Sequence, residues 1–278
     1  MHILNPKLSE RLQCPKCGSA LAFVEPTLQC AKCGSVYPIE QEVPILTAKR
    51  EGDGWDYLEH YKTDAEVFDY FEDRPAGTEH EEERLREYIL HELPVSSSIL
   101  DVGCGKAWVA KTFQNKGVFV CSLDATVINT AKALKHYPSG DHAAVVADAF
   151  HLPFKEGSFE AVIASEIIEH VVDPAAFVRE LYRVLSPGGT LIVTTPYKEV
   201  LRYTLCIHCN QNTPWNAHLH SFDEKTLASF LRDESNAKVS WKTFGNKALI
   251  HLRTHTLLSF LPFRGWKFVD LEIGRAHV

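Results

Sequence analysis

The chain's 278 residues suffice for one large domain, or for a medium domain plus a small one, and 45% hydrophobic with 23% charged residues is the composition of a soluble globular protein. No apolar run approaches the roughly 20 residues that cross a bilayer, and the first residues lack an apolar core of leader length, so a membrane span and a secretory leader are not expected and a cytoplasmic setting is. The net charge of −7 is concentrated in residues 51–95, where fifteen acidic residues face four basic ones, so bulk electrostatics do not advertise a nucleic-acid binder.

Residues 1–48 are expected to form a separate small domain. Cys14-Pro15-Lys16-Cys17-Gly18 and Cys30-Ala31-Lys32-Cys33-Gly34 are two tight knuckles, with twelve residues between Cys17 and Cys30. Four thiolates so spaced can close a tetrahedral Zn²⁺ site at Cys14, Cys17, Cys30 and Cys33, and the metal would supply much of the folding free energy of so small a segment. The alternative is two unrelated redox pairs. The stretch resembles the small zinc-ribbon proteins that activate tRNA and release-factor methyltransferases, down to the tail Tyr37-Pro38-Ile39 and Val43-Pro44-Ile45-Leu46. That resemblance implies a zinc ribbon and a protein partner through it.

Residues 49–97 read as an acidic helical linker. Thr78-Glu79-His80-Glu81 opens a helix with acids in its first turn, which suits the helix dipole. Leu85, Ile89 and Leu93 mark its buried stripe and Pro94 ends it. The segment is either a solvated brace or a lid over a substrate pocket, with His60, Tyr61 and Phe71 as lining.

From residue 98 the pattern becomes strand–helix alternation. The first strand, about 98–102, runs into Gly103-Cys104-Gly105, with Asp101 just before the turn and a helix to about Lys116. A second strand, 118–123, ends in Asp124, which lies 23 residues beyond Asp101 and so within reach of a ribose diol at the tip of the next strand. A third, 143–147, ends in Asp148-Ala149. A fourth, 159–164, runs into Ser165-Glu166-Ile167-Ile168-Glu169-His170. Asp173 caps a helix, and Ser186-Pro187-Gly188-Gly189 turns into a fifth strand, 190–195. Such alternation implies an α/β fold with a mostly parallel sheet covered on both faces, and a ligand at the carboxyl ends of the strands. Asp101, Asp124, Asp148 and Ser165-Glu166 all fall there. Asp101 would repel a pyrophosphate but suits an ammonium or sulfonium group, and the third glycine of the dinucleotide pattern is replaced by Lys106, Ala107 and Trp108.

Residues 98–196 resemble the class I S-adenosylmethionine (SAM) methyltransferases, especially the branch that includes the ubiquinone and menaquinone biosynthesis enzymes. The resemblance rests on Ile99–Gly105, Asp124, Ala147-Asp148-Ala149 with Leu152-Pro153-Phe154, Ser165–Val171 and Leu185–Gly189, in order and spacing. It implies a Rossmann-like, doubly wound, seven-stranded sheet over residues 98–271, with a substrate insertion at about 197–222. It also implies that Asp101, Gly103 and Gly105 frame the methionine end of SAM. Asp124 would accept the ribose hydroxyls and Ala125 pack on adenine. Asp148 would accept from the adenine amino group, the Ala149 N–H would meet the ring, and Ser165 would offer its carbonyl to the SAM amino group. A third small glycine, frequent in that family, is Ala107 here.

Beyond the fifth strand, Cys206, Cys209, His218 and His220 make a second zinc-compatible set. The plainer reading is that His218-Leu219-His220 merely leads into a helix 224–232 capped by Ser221 or Asp223. His170 and Glu166, and His218 or His220 if they are not ligands, are the candidates for a general base; His170 otherwise only packs beside the fourth strand. Val239–Phe244 and Ala248–Leu252 read as a closing antiparallel strand pair. Residues 272–278 look foreign, like translated sequencing-adapter DNA, so the natural chain is expected to continue past about Leu271. Three functions remain open: methyl transfer to a small-molecule or lipid-like acceptor, methylation of RNA with the ribbon as docking module, and a non-catalytic SAM-binding partner protein.

Overall fold

The computed structural model describes residues 4–47, 57–205, 210, 212–231, 237–244, 257, 258 and 260–273, excepting the side chains of 57–60, 62 and 269–273. The chain divides into two compact units: Met1–Glu72 with Val95–Ala164 and Arg179–Ile192, and Asp73–Pro94 with Ser165–Val178 and Val193–Val278.

The first unit is built on consecutive short apolar runs. Every position of β5 (Ser98–Val102), β6 (Phe119–Asp124) and β7 (His142–Ala147) is buried, as strands covered on both faces must be. β6 lies between β5 and β7 in parallel register, with Leu100 opposite Cys121 and Leu123 opposite Val145, and β8 (Phe159–Ser165) lies parallel to β5 on its other side. The carboxyl ends of β5, β6 and β7 therefore bring Asp101, Asp124 and Asp148 to one rim. α4 (Trp108–Phe113) is shorter than the sequence suggested, because Gln114 leaves helical space and Asn115 takes a left-handed conformation. α5 (Val127–His136) is capped by the Thr126 hydroxyl, which accepts from the Asn129 N–H.

The fold class is the expected α/β one; among the described residues the large sheet has nine strands, in the order β1-β2-β3-β4-β7-β6-β5-β8-β9, five of them from residues 98–194. The others come from the N-terminal segment, whose β1 (Ala22–Val24), β2 (Thr27–Gln29), β3 (Val36–Glu40) and β4 (Val43–Leu46) form an antiparallel meander. β4 then pairs in parallel with β7, Ile45 opposite Val146 and Leu46 opposite Ala147. The reason is apolar: Val43 and Leu46 are fully buried, and Val43 clusters with Ala144 and Val146 under Ile45, Val127 and Leu134. The strand alternation after residue 98 cannot announce a partner strand supplied from 100 residues upstream. β9 (Leu185–Thr194) takes in the predicted turn at Ser186–Gly189, where Gly188 keeps a left-handed backbone at φ +78 and a side chain at Gly189 would meet the Glu160 carbonyl at 2.7 Å.

In the second unit, α3 (Ala76–Glu92) begins two residues before Thr78, and its buried residues are Arg84, Tyr88 and Ile89, while Leu85 and Leu93 are only half-buried. Aromatic partners decide this: Trp266 of α8 (Phe263–Ile273) lies 4.6 Å beneath the Arg84 guanidinium, and Tyr88 stacks on Phe244 at 4.1 Å. β10 (Tyr203–Leu205) and β11 (Asn212–Pro214) form a separate hairpin. α7 (Glu224–Ser229) is capped by Asp223, whose carboxylate accepts from the Thr226 N–H. Residues 239–244 form no strand; Ala248–Leu252, Cys206, Cys209 and 274–278 lie outside the described residues. No described helix is long and apolar enough to cross a membrane.

Candidate functional site

Three side-chain clusters carry chemistry. In the first, Asp101 closes β5 with 2% exposure, and its Oδ2 has no hydrogen-bond partner among the described residues. Burial, then the charge of Asp124, pushes its carboxyl up to about 8. A buried carboxylate oxygen left unpaired is costly unless a ligand supplies the donor or the cation. The next residues make room for one. The Cys104 N–H bonds the Leu123 carbonyl at 2.9 Å, tying the glycine turn to the tip of β6. Gly105 sits at φ +46 and its N–H donates to Asp124 Oδ2 at 3.2 Å. Asp124 is clamped on its other oxygen by the Thr126 N–H and the Asn129 amide at 3.2 and 3.3 Å. Burial raises its pKa against these bonds. Ala125 and Ala149 are half-buried beside Asp124 and Asp148 in sequence, and fully buried Asp148 is fixed by the Phe150 N–H at 2.9 Å. Ala107 is buried in a left-handed conformation, φ 51, at the start of α4. Gly103 is likewise left-handed, at φ 68. Ser165 belongs to the other unit, where its hydroxyl is 3.0 Å from that of Thr194.

The second cluster lies wholly in the second unit. Ligating atoms of Glu169, His170 and His218 fall within 4.8 Å of one another. Residue 170 reaches residue 218 because the Leu219 N–H bonds the Glu169 carbonyl at 2.7 Å. His170 Nδ1 donates to the Ala217 carbonyl at 3.3 Å, and His218 Nδ1 pairs with Glu199. A hydrogen bond at Nδ1 of this kind is what orients metal-binding histidines. Glu169 is 1% exposed, and its Oε2 accepts from the Thr195 hydroxyl at 3.0 Å. Burial, then Glu166, raises its carboxyl well above the ordinary range. Glu166 stands at φ 57, held there by Thr194, whose hydroxyl donates to Oε1 at 2.9 Å and whose carbonyl accepts the Glu166 N–H at 3.1 Å. Left-handed backbone at Glu166, Asn216 and Ala217 is strain of the kind that concentrates at functional sites. His220 parts from His218: its Nε2 donates to the Val171 carbonyl at 2.9 Å.

The third cluster is the thiols of Cys14, Cys17, Cys30 and Cys33, all free, with ligating atoms within 4.8 Å of one another. Cys14–Cys33 and Cys17–Cys30 Sγ separations of 3.6 and 3.5 Å approach the edge of about 3.8 Å that a tetrahedron with 2.3 Å Zn–S bonds requires. Hydrogen bonds from Ser35, side chain then backbone, bring Cys33 down to about 6, which favours the thiolate a metal needs.

Sequence reasoning named most of these residues but missed Glu169 as a ligand, Glu199 as the partner of His218, and Tyr70, whose ring lies against Gly105. Glu169 left a signal, a glutamate beside His170 and three residues after Glu166. Glu199 and Tyr70 left none, since their roles depend on chain segments far away in sequence.

Residues 100–193 match the family described as Methyltransferase domain, and the same stretch is similar in sequence to ubiquinone biosynthesis O-methyltransferases. Norajmaline N-methyltransferase of Rauvolfia serpentina is 37% identical over 105 residues, 34% of this chain and 35% of that protein. The mitochondrial ubiquinone biosynthesis O-methyltransferase of Rattus norvegicus is 34% identical over 116 residues, 39% of this chain and 33% of that protein. The chain thus spans about a third of the length of these curated relatives. Among solved structures, an S-adenosylmethionine-dependent methyltransferase from Mesorhizobium loti shares the fold, with a TM-score of 0.50 and 22% identity over 62% of this chain and 90% of that one.

Proposed function

We propose that the protein is a SAM-dependent methyltransferase acting on a hydroxyl group of a small-molecule acceptor. The observation that carries this reading is the buried Oδ2 of Asp101 at the glycine turn, which has no hydrogen-bond partner among the described residues. The bound cofactor would supply an electrophilic methyl group on a sulfonium centre. Asp101, beside the turn of Gly103 and Gly105, would accept from the ammonium of its amino-acid group. Asp124 would take the ribose hydroxyls; its bonds to Gly105, Thr126 and Asn129 fix the carboxylate before the ligand arrives. Ala125 and Ala149 would flank the adenine and Asp148 accept from its amino group.

Within the second unit, Glu169, His170 and His218 would hold a divalent cation, and such an ion makes a hydroxyl coordinated to it more acidic. Glu199 and the Ala217 carbonyl keep the two imidazoles in the ligating tautomer. The four N-terminal thiols would hold a structural zinc, whose binding energy would stabilise β1–β4. Aligning nucleophile, methyl and leaving sulfur, and excluding water, is then most of what remains for the protein to do.

Calorimetry with SAM on the full chain tests the reading. Micromolar-range binding is expected for the native sequence and none measurable for Asp124→Ala; a well-folded protein that ignores SAM would overturn it. Labelled SAM added to a fractionated cell extract should place the label in small molecules, and label in RNA would move the assignment to the other acceptor class.

A further inference from the structure

Within the acidic segment, the short stretch of residues 68–72 packs in the first unit against the glycine turn and beside Asp124. Tyr70 is half-buried, and its Cδ1 lies 3.4 Å from where a side chain on Gly105 would begin. Its hydroxyl donates to Asp64 on α2 (Tyr57–Val67) at 2.8 Å, which fixes the plane of the ring. Burial and Asp64, with Asp124 adding its charge, keep the phenol protonated. The flanking residues are fastened to α5: Asp69 pairs with Lys132 at 2.8 Å, and Phe71 stacks on His136 with centroids 4.6 Å apart. Phe71, read from the sequence as pocket lining, therefore serves as an anchor, and Tyr70 takes the place at the glycine turn.

Resting on the SAM reading, we propose that Tyr70 is a positioning residue that roofs the cofactor pocket, with its ring over the sulfonium of the ligand and the 68–72 segment as the latch that must lift for exchange. An aromatic ring attracts a cation and excludes water at once. The tether to α5 includes a half-exposed ion pair at Asp69 and the ring contacts of Phe71 with His136 and Tyr137, contacts that can release without unfolding the sheet.

The test is binding of S-adenosylhomocysteine and SAM to the full chain by calorimetry, with release rates by stopped flow. Tyr70→Ala should weaken SAM by about tenfold, mainly through faster release, the size of a desolvated cation–π contact. Neutral S-adenosylhomocysteine should lose about threefold or less, because it keeps only the apolar part of the contact. Tyr70→Phe, which keeps the ring, should restore SAM affinity to within about threefold. Lys132→Met, on an exposed side chain, should speed release of both ligands about two- to threefold, which keeps the proposal testable if Tyr70→Ala does not fold. Unchanged affinity and release in a folded Tyr70→Ala, or equal losses for the charged and neutral ligands, would overturn the role of Tyr70 while leaving the SAM reading standing. Native protein that binds neither ligand would overturn both.

Discussion

Two clusters of buried carboxylates in this chain are built on opposite principles. On the rim of the first unit, Asp101 lies beside a second acid, and one of its oxygens is left without a donor. In the second unit, Glu169 is equally buried, but two imidazoles stand within 4.8 Å with their outer nitrogens tied back. The first arrangement sets an acceptor oxygen beside a glycine turn roofed by the Tyr70 ring, which suits an organic cation that brings its own shape. The second is a compact set of three convergent ligands, which suits a small ion. Burial by itself is common to both; what differs is whether the protein supplies the surrounding nitrogen ligands.

The contrast can be broken most severely at the three-ligand set. Substituting His218 by Ala or Glu169 by Gln should lower Mn²⁺ or Zn²⁺ affinity by at least about 100-fold, and Glu199→Gln, one shell out, by about 10- to 100-fold. Isothermal titration reads these directly, and SAM affinity should be untouched. Asp101→Asn makes the complementary change: SAM affinity should fall by about 10- to 100-fold, the worth of a charge-assisted hydrogen bond, while metal affinity stays constant.

A smaller effect sharpens the electrostatic side. Because the folded Asp101 carboxyl titrates near about 8, against an ordinary 3.8, the folded state holds a proton that the unfolded chain has lost. Its contribution therefore lowers the stability of the ligand-free protein as pH rises between those values, with a slope approaching 1.4 kcal/mol per pH unit, about the linkage limit for one proton. Denaturant titrations from pH 5 to 8 should show that slope in the native sequence and lose it in Asp101→Asn. The smallest change is expected for Ala107→Gly, which relieves left-handed strain of about 1 kcal/mol but gives up a buried methyl worth about 0.8 kcal/mol. Melting should move by no more than a few degrees.

Much of the molecule could be read from its letters. Fully buried strands must be continuous apolar runs, so β5, β6 and β7 were visible, and an acid ending each run had to land on one rim once the runs paired in parallel. Four thiols in two knuckles likewise had to converge, because each knuckle fixes its own pair locally. The contacts that join distant segments were not so legible. The addition of β4 to β7, the meeting of His218 with His170, and the ring of Tyr70 against Gly105 link residues 35 to more than 100 positions apart. Local periodicity carries no record of such pairs. Burying Val43 on the sheet edge decided the first, and a backbone bond onto the Glu169 carbonyl decided the second. The sequence by itself determined which residues would crowd the strand ends. Only the tertiary structure decided which of the remaining acids, imidazoles and rings would meet, because those meetings depend on the packing of segments that have no local reason to find one another.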